Sequence, residues 1–403
     1  MKISDIGPPG TLRDLVPGVM NLYLDKNLLY SWDQFFQITS ELRYLRVLAL
    51  TGNKFRKIDK SYFDGKNIDQ LVHTHLHELV LIDMSLDWSQ LDILAPTLLY
   101  VEKLFLVRNN CSKICSQYEI DKQYWKNLRY LNLEQNGIES WDEIAGFRKL
   151  NDFTHLIVNK NRIREIYHKP GFRGLKYLSF EDNLISTWKS FDQLDEFDSR
   201  IEQIRCQGNP IMNEEGKDVK RARQIAIGRL EFLKKYNGTR IEPDERKDIE
   251  LFYLKVAYET YLRDILKVKD QKDVKVESLE DPGLVAYVQE FHPRFWQLVG
   301  IYGSPLAWVN VKFKTTNIAS TSAKMELISH IPETEGKVLS KKLLLSMTVT
   351  QLKSMCSKLF KGDILKLSLE YRGLEDTQDY PLDEDFRQLS FYSMDDGGKI
   401  MVK

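Results

Sequence analysis

The frame L-x-x-L-x-L-x-x-N-x-L recurs eight times between Val19 and Ile211. Its asparagine position falls at Asn27, Asn53, Met84, Asn109, Asn136, Asn161, Asn183 and Asn209, in steps of 26, 31, 25, 27, 25, 22 and 26 residues. A period of this length marks a chain built from stacked supersecondary units. One unit, a short strand and a return segment, cannot bury its apolar side alone. Stacking gives a continuous core and one long concave wall of strands.

This period is that of a leucine-rich-repeat solenoid, an α/β architecture. The leucine-type positions point inward and the residues between them point outward, because side chains in a strand alternate with period two. The wall therefore presents Asn21, Tyr23, Asp25; Val47, Ala49, Thr51; Glu78, Val80, Ile82; Lys103, Phe105, Val107; Tyr130, Asn132, Glu134; His155, Ile157, Asn159; Tyr177, Ser179, Glu181; and Gln203, Arg205, Gln207. Repeats two to four offer an apolar strip, and repeats five to eight offer Tyr, Asn, Glu and Arg. The partner-binding residues expected on this wall are Tyr23, Val80, Ile82, Phe105, Val107, Tyr130, Tyr177 and Arg205. In the return segments Trp32, Ile58, Trp88, Ile114, Trp141, Ile166 and Trp188 alternate, and large plugs at the repeat period are read as convex packing.

A solenoid needs an end cover. In RARQIAIGRLEFLKKYNG the residues Ala222, Ile225, Ala226, Leu230 and Leu233 recur near helical spacing, with Gly238 as a stop, and a second helix is expected from Asp244 through Leu266. KVKDQKDVKVESLEDPG, 267–283, is charged and reads as a linker. Beyond HPRFWQLVGIYGSP the pattern becomes compact. Lys324–Ser329 and Lys337–Leu343 alternate like strands, Val349–Leu359 is spaced like a one-faced helix, and Leu365–Tyr371 and Lys399–Val402 read as strands. The expected organisation is repeats over 1–212, a helical cap over 213–268, linker and HPR segment over 269–306, and an α+β grasp domain over 307–403.

Lys+Arg and Asp+Glu both number 58 among 403 residues, so no charge surplus calls for nucleic acid or an anionic membrane. No signal peptide or membrane-spanning run is read, and four scattered cysteines suit reduced thiols in a cytoplasmic protein. G-x-x-x-x-G-K-[ST], G-x-S-x-G and H-E-x-x-H are all absent, which leaves an enzymatic reading, a cofactor or a catalytic residue without support. His73, His75 and His77 alternate as metal ligands would, but lack a suitably spaced carboxylate, and Cys111 and Cys115 lack a second cysteine pair. All five are read as ordinary side chains and no metal is expected. Lys220, Arg221 and Arg223 form a basic cluster, read as a solvated helix face with an acidic partner as the secondary possibility.

The last 97 residues resemble a ubiquitin-like domain: LSLEYRG stands where that family has its third strand and DDGGKIMV where it enters its last. The chain ends without a diglycine, which implies docking and not conjugation. NLLYSWD, NGIESWDEI, NLISTW, ERKDIELFY, HPRFWQLVGIYGSP and LEYRG, in this order, resemble the tubulin-folding cofactor E family. The resemblance implies a cytosolic, cytoskeleton-associated chaperone that binds α-tubulin and acts with other tubulin-folding cofactors on the α/β-tubulin heterodimer. That family begins with a CAP-Gly domain. Here the repeats begin almost at Met1, and the triplet Gly65, Lys66, Asn67 is followed by Ile68 and Asp69 where the CAP-Gly signature needs Asp then Gly. The expectation is a member, or a cofactor-E-like relative, without that domain, and the HPR segment favours cofactor E itself. The alternative expectation is a ubiquitin-pathway adaptor whose repeats select a client and whose ubiquitin-like domain docks on the proteasome.

Overall fold

A computed structural model describes residues 2–115, 120, 122–214, 219–269, 279, 282–304, 322–345, 347–364, 366–373, 379–382, 389–392, 394 and 396–403. It forms two compact units, 1–310 and 311–403. Most of the 267–283 linker reading lies outside the described residues.

Each repeat contributes a three-residue strand: β1 Asn21–Tyr23, β2 Val47–Ala49, β3 Glu78–Val80, β4 Lys103–Phe105, β5 Tyr130–Asn132, β6 His155–Ile157, β7 Tyr177–Ser179 and β8 Gln203–Arg205. They pair in parallel in chain order with unbroken register, Asn21 opposite Val47, then Glu78, Lys103, Tyr130, His155, Tyr177 and Gln203. Strands this short owe their placement to the turn at their carboxyl ends. The residue before each frame asparagine position is left-handed in all eight repeats: Lys26, Gly52, Asp83, Arg108, Gln135, Lys160, Asp182 and Gly208. Six of these are not glycine, and each such residue costs on the order of 1 kcal/mol.

A buried amide ladder offsets that cost. Asn161 Oδ1 accepts from the backbone N–H groups of Asn136 and Ile138, both at 3.0 Å, while its Nδ2 donates to the carbonyls of Leu133 at 3.0 Å and Val158 at 2.9 Å. Asn53, Asn109, Asn136, Asn183 and Asn209 likewise accept from the preceding repeat and donate back to it. Met84 has no amide to offer, so the ladder is interrupted after the longest repeat step, 31 residues.

The convex plugs are core. Trp32, Trp88 and Trp141 are buried, with ring contacts such as Trp88 to Phe147 at 5.4 Å, and their indole N–H groups find no acceptor among the described residues. Shape holds them in place. The amino-terminal segment closes the first repeat: the Glu41 carboxylate accepts from the N–H groups of Gly10 at 2.6 Å and Leu12 at 2.8 Å, at the start of helix Thr11–Leu15.

At the other end the expected helix runs only over Val219–Arg229. Apolar spacing continues to Leu233, but Asn237 and Gly238 both take positive φ and form the two-residue turn of a hairpin, β9 Lys235–Tyr236 with β10 Thr239–Arg240. β9 adds to the solenoid sheet beside β8. The Asn-Gly pair, expected only to stop a helix, is the signal for this hairpin. Helix Pro243–Lys269 comes next. The HPR stretch is also structured: Pro282–Phe291 and Phe295–Tyr302 are helices sharing a core with Tyr253, Leu254, Ala257 and Tyr258. His292 and Arg294 are buried between them. Arg294 donates to Glu250 at 3.1 Å and to the Gly228 carbonyl at 2.8 Å. Glu250 also receives Tyr302 at 2.8 Å and Arg246 at 3.2 Å. Arg229 donates to Asp192 at 2.7 Å and to the Phe291 carbonyl at 2.9 Å, which joins cap, seventh repeat and HPR helices. Trp188 packs against both cores.

The second unit is a mixed five-stranded sheet, order β12-β11-β15-β13-β14, from β11 Ser322–Ser329, β12 Val338–Leu344, β13 Leu369–Arg372, β14 Tyr380–Pro381 and β15 Lys399–Val402. β11 and β15 are parallel and the other pairs antiparallel, the topology of a ubiquitin-like β-grasp. Helix Val349–Phe360 starts with a Thr348–Gln351 capping box and buries Val349, Leu352, Cys356 and Phe360 against Met325, Leu327 and Ile400. The third strand begins at Leu369 and not at 365, because the Asp363 carbonyl turns the chain by accepting from Lys366 and Leu367.

Asn161→Ala orphans two buried N–H groups and the Leu133 carbonyl, and should cost about 3 kcal/mol in denaturant unfolding; a loss within error would remove the ladder from its structural role. His292 is pushed down to about 3, first by burial and then by Arg229, so unfolded His292 binds a proton between about 3 and 6.5 that the folded form refuses. Its contribution is present above 6.5 and lost as pH falls, by about 2 kcal/mol at pH 5. Asp192, raised to about 6 by burial against the pull of Arg229, acts in the opposite sense below about 6 in both proteins compared. His292→Gln should therefore lose less melting temperature than the wild type between pH 7 and pH 5, and parallel melting curves would contradict this.

Candidate functional site

The concave wall is the face on which the repeats place outward side chains in register. Phe105, at the end of β4, lies diagonally from Tyr130, with ring centroids 4.9 Å apart. Tyr130, His155 and Tyr177 are direct register partners, and their rings stack at 5.9 and 5.4 Å with interplanar angles of 27° and 24°. The result is a four-ring strip across β4 to β7. Val80 stands opposite Phe105 and extends the strip toward β3, while Ile82 and Val107 lie beyond the strand ends and are half-buried.

The other two expected residues stand apart. Tyr23 is 64% exposed on the edge strand β1, three strand spacings from Phe105, which is about 14 Å. Arg205 is exposed at the end of β8, opposite Ser179. His155 was not among the expected residues although the frame places it on the wall; the signal was its position between Tyr130 and Tyr177. Burial lowers its pKa, which keeps the imidazole neutral and able to stack, and its Nδ1 lies 2.9 Å from Thr154 Oγ1. Burial is also the first cause raising the Tyr130 phenol.

The flanks are polar and mostly paired. Glu78 meets Lys103 at 3.2 Å, Glu134 meets Lys160 at 2.8 Å, and Glu202 meets Lys176 at 3.4 Å and Lys234 at 2.8 Å. Asn159 accepts from Ser179 Oγ at 2.7 Å and the Glu181 N–H at 2.8 Å, which stiffens the β6–β7 side.

The remaining candidates occupy structural positions. His73 Nε2 lies 2.9 Å from the Leu42 carbonyl and His77 Nδ1 lies 3.4 Å from Glu102. Among the described residues no three side chains of metal-ligand type come together. Cys111 is buried beside the Leu86 carbonyl, and the half-buried Cys115 thiol is raised to about 11, first by burial. Within the basic cluster Arg223 pairs with Glu245 and Arg221 lies over the Phe252 ring. No helix among the described residues is long and apolar enough to cross a membrane.

The chain is similar over its whole length to proteins named tubulin-specific chaperone E. With that of Homo sapiens it is 27% identical over 410 residues, covering 100% of this chain and 74% of that protein. With that of Danio rerio it is 29% identical over 412 residues, covering 75% of that protein. The tubulin-folding cofactor E of Arabidopsis thaliana is 28% identical over 417 residues, with 72% of that protein covered. Among solved structures, the C-terminal ubiquitin-like domain of mouse tubulin-specific chaperone E is 26% identical, covering 22% of this chain and 91% of that one at a TM-score of 0.19. No family model matches the chain. The resemblance carried by the S-W repeats, the HPR segment and the grasp unit thus extends through repeats, cap and grasp alike.

The stack makes a spectroscopic prediction. His155 should titrate below 6.5 by NMR, and Tyr130→Ala, which opens one face of its ring to water, should move it back upward; an unchanged titration would mean that the ring neighbours do not desolvate it.

Proposed function

We propose that this chain is a tubulin-folding chaperone whose concave wall holds a surface of α-tubulin, and that it acts with other tubulin-folding cofactors in assembling and dismantling the α/β-tubulin heterodimer in the cytoplasm, in association with the cytoskeleton. The observation that carries this reading is full-length similarity to chaperones named for tubulin, joined to a wall whose contiguous aromatic strip is supported by the fold and open to a partner.

The mechanism is differential affinity. A wall that binds α-tubulin better alone than within the heterodimer shifts the heterodimer toward separation with no bond chemistry. A 100-fold preference is worth about 2.7 kcal/mol. Phe105, Tyr130 and Tyr177 supply the anchors, since buried aromatic side chains dominate protein interfaces. Val80, Ile82 and Val107 widen the apolar floor, Tyr23 and Arg205 mark its two ends, and the grasp unit is a second docking element for cofactors.

Phe105→Asp with Tyr130→Asp should abolish capture of α-tubulin in a pull-down while the circular dichroism spectrum and melting temperature stay near wild type, because both side chains are on the solvent face of the sheet. Undiminished capture would place the client elsewhere.

A further inference from the structure

The wall's carboxylates and cations are not equally engaged. Beside the ring strip Glu78, Glu134 and Glu202 each face a lysine, Glu102 faces His77, and Glu181 receives the Asn159 amide at 3.5 Å. Arg129 and Arg205 differ, as do Arg46 and Arg108 farther toward the first repeats. Arg129 and Arg205 are exposed, and neither guanidinium has a partner among the described residues, although the chain as a whole carries equal numbers of acidic and basic residues. Arg129 precedes Tyr130 on the rim where β5 begins. Arg205 closes β8, next to the strand that carries Tyr177. They stand at diagonal corners of the Tyr130–His155–Tyr177 stack, three strand spacings across and three residues along the strands, roughly 17 Å apart.

An exposed, unpaired arginine is poised for an external carboxylate, which its planar fork receives through two parallel hydrogen bonds. From this arrangement we infer that the wall recognises an acidic segment with an aromatic or aliphatic anchor: the anchor seats on Tyr130, His155 and Tyr177, and carboxylates on either side of it pair with Arg129 and Arg205. An extended segment covers roughly 17 Å in about five residues, so the carboxylates flank the anchor closely. A basic segment finds less reception, because Glu78, Glu134 and Glu202 already hold lysines. The inference deepens the proposed function by naming the chemistry of the client surface, and it rests on the same wall.

The test uses the full chain and fluorescein-labelled Glu-Glu-Ala-Phe-Glu-Glu beside its counterpart with every Glu replaced by Gln, read by fluorescence polarisation. The acidic peptide should bind at least fivefold more tightly, and raising the salt should narrow the gap. The double variant R129E/R205E should lose the preference while keeping its melting temperature, since both side chains lie in solvent. Phe→Ala in the peptide should weaken binding to the wild type. Equal affinity for the two peptides, binding of neither, or a preference that survives in R129E/R205E overturns the inference. Purified α/β-tubulin forms a separate arm: a wild type that discriminates between the peptides but captures no tubulin overturns the proposed function and leaves the recognition chemistry standing.

Discussion

The buried amide ladder is the interaction on which the first unit depends. An asparagine whose oxygen accepts two backbone N–H groups of the preceding repeat and whose nitrogen donates to one carbonyl of that repeat and one of its own fixes the distance between turns and the direction in which the chain leaves each strand. It also makes tolerable the left-handed residue before it, which in six repeats is not glycine. In a low-dielectric interior an amide with four satisfied sites stabilises far more than an exposed one, and an unsatisfied one is correspondingly costly. One residue type thus sets both the period and the register.

Register gives the wall its chemistry. Neighbouring strands lie about 4.8 Å apart, so side chains at the same frame position on successive strands meet whether or not they are adjacent in sequence. Phe105, Tyr130, His155 and Tyr177 are 22 to 25 residues apart along the chain, yet each ring lies within 6 Å of the next. The strand spacing and the preferred separation of aromatic rings nearly coincide. A strip held in this way is ordered before any partner arrives, so the entropy of fixing its anchors does not count against binding.

The same geometry decides how much was legible in the sequence. Period-two alternation within a repeated frame names the outward positions, although Ala49 and Ser179 among them are buried, and the structure has these strands in one register. The hairpin at Asn237–Gly238 was harder to see, because Leu230 and Leu233 continue an apolar spacing that helix and turn can both satisfy; both residues are buried although the helix has ended. The helices around His292 and Arg294 were hidden for another reason. Their contacts are polar and long-range, Arg294 reaching Glu250 and Gly228 across 44 and 66 residues, and apolar periodicity carries no trace of such partners. His155 was visible as a wall residue, but its importance arises only from the rings on both sides.

The polar seal of the cap bears on how the wall can act. Replacing a buried ion pair by hydrophobic residues is often neutral or stabilising, so Arg229–Asp192 and Arg294–Glu250 are poorly explained as sources of raw stability. Their geometry is specific instead: Arg229, at the end of the cap helix, reaches the seventh repeat's helix and the end of an HPR helix through one guanidinium, with Trp188 and Tyr253 on its faces. Apolar surfaces slide at small cost, whereas a guanidinium shared between a carboxylate and a carbonyl has one good position. The cap therefore fixes the orientation of the seventh repeat, and its strand β9, paired with β8, holds the end of the wall where Arg205 stands. A chaperone that works by differential affinity needs such a wall, because a surface that adapted equally to the free and the paired client would bind both alike and shift nothing.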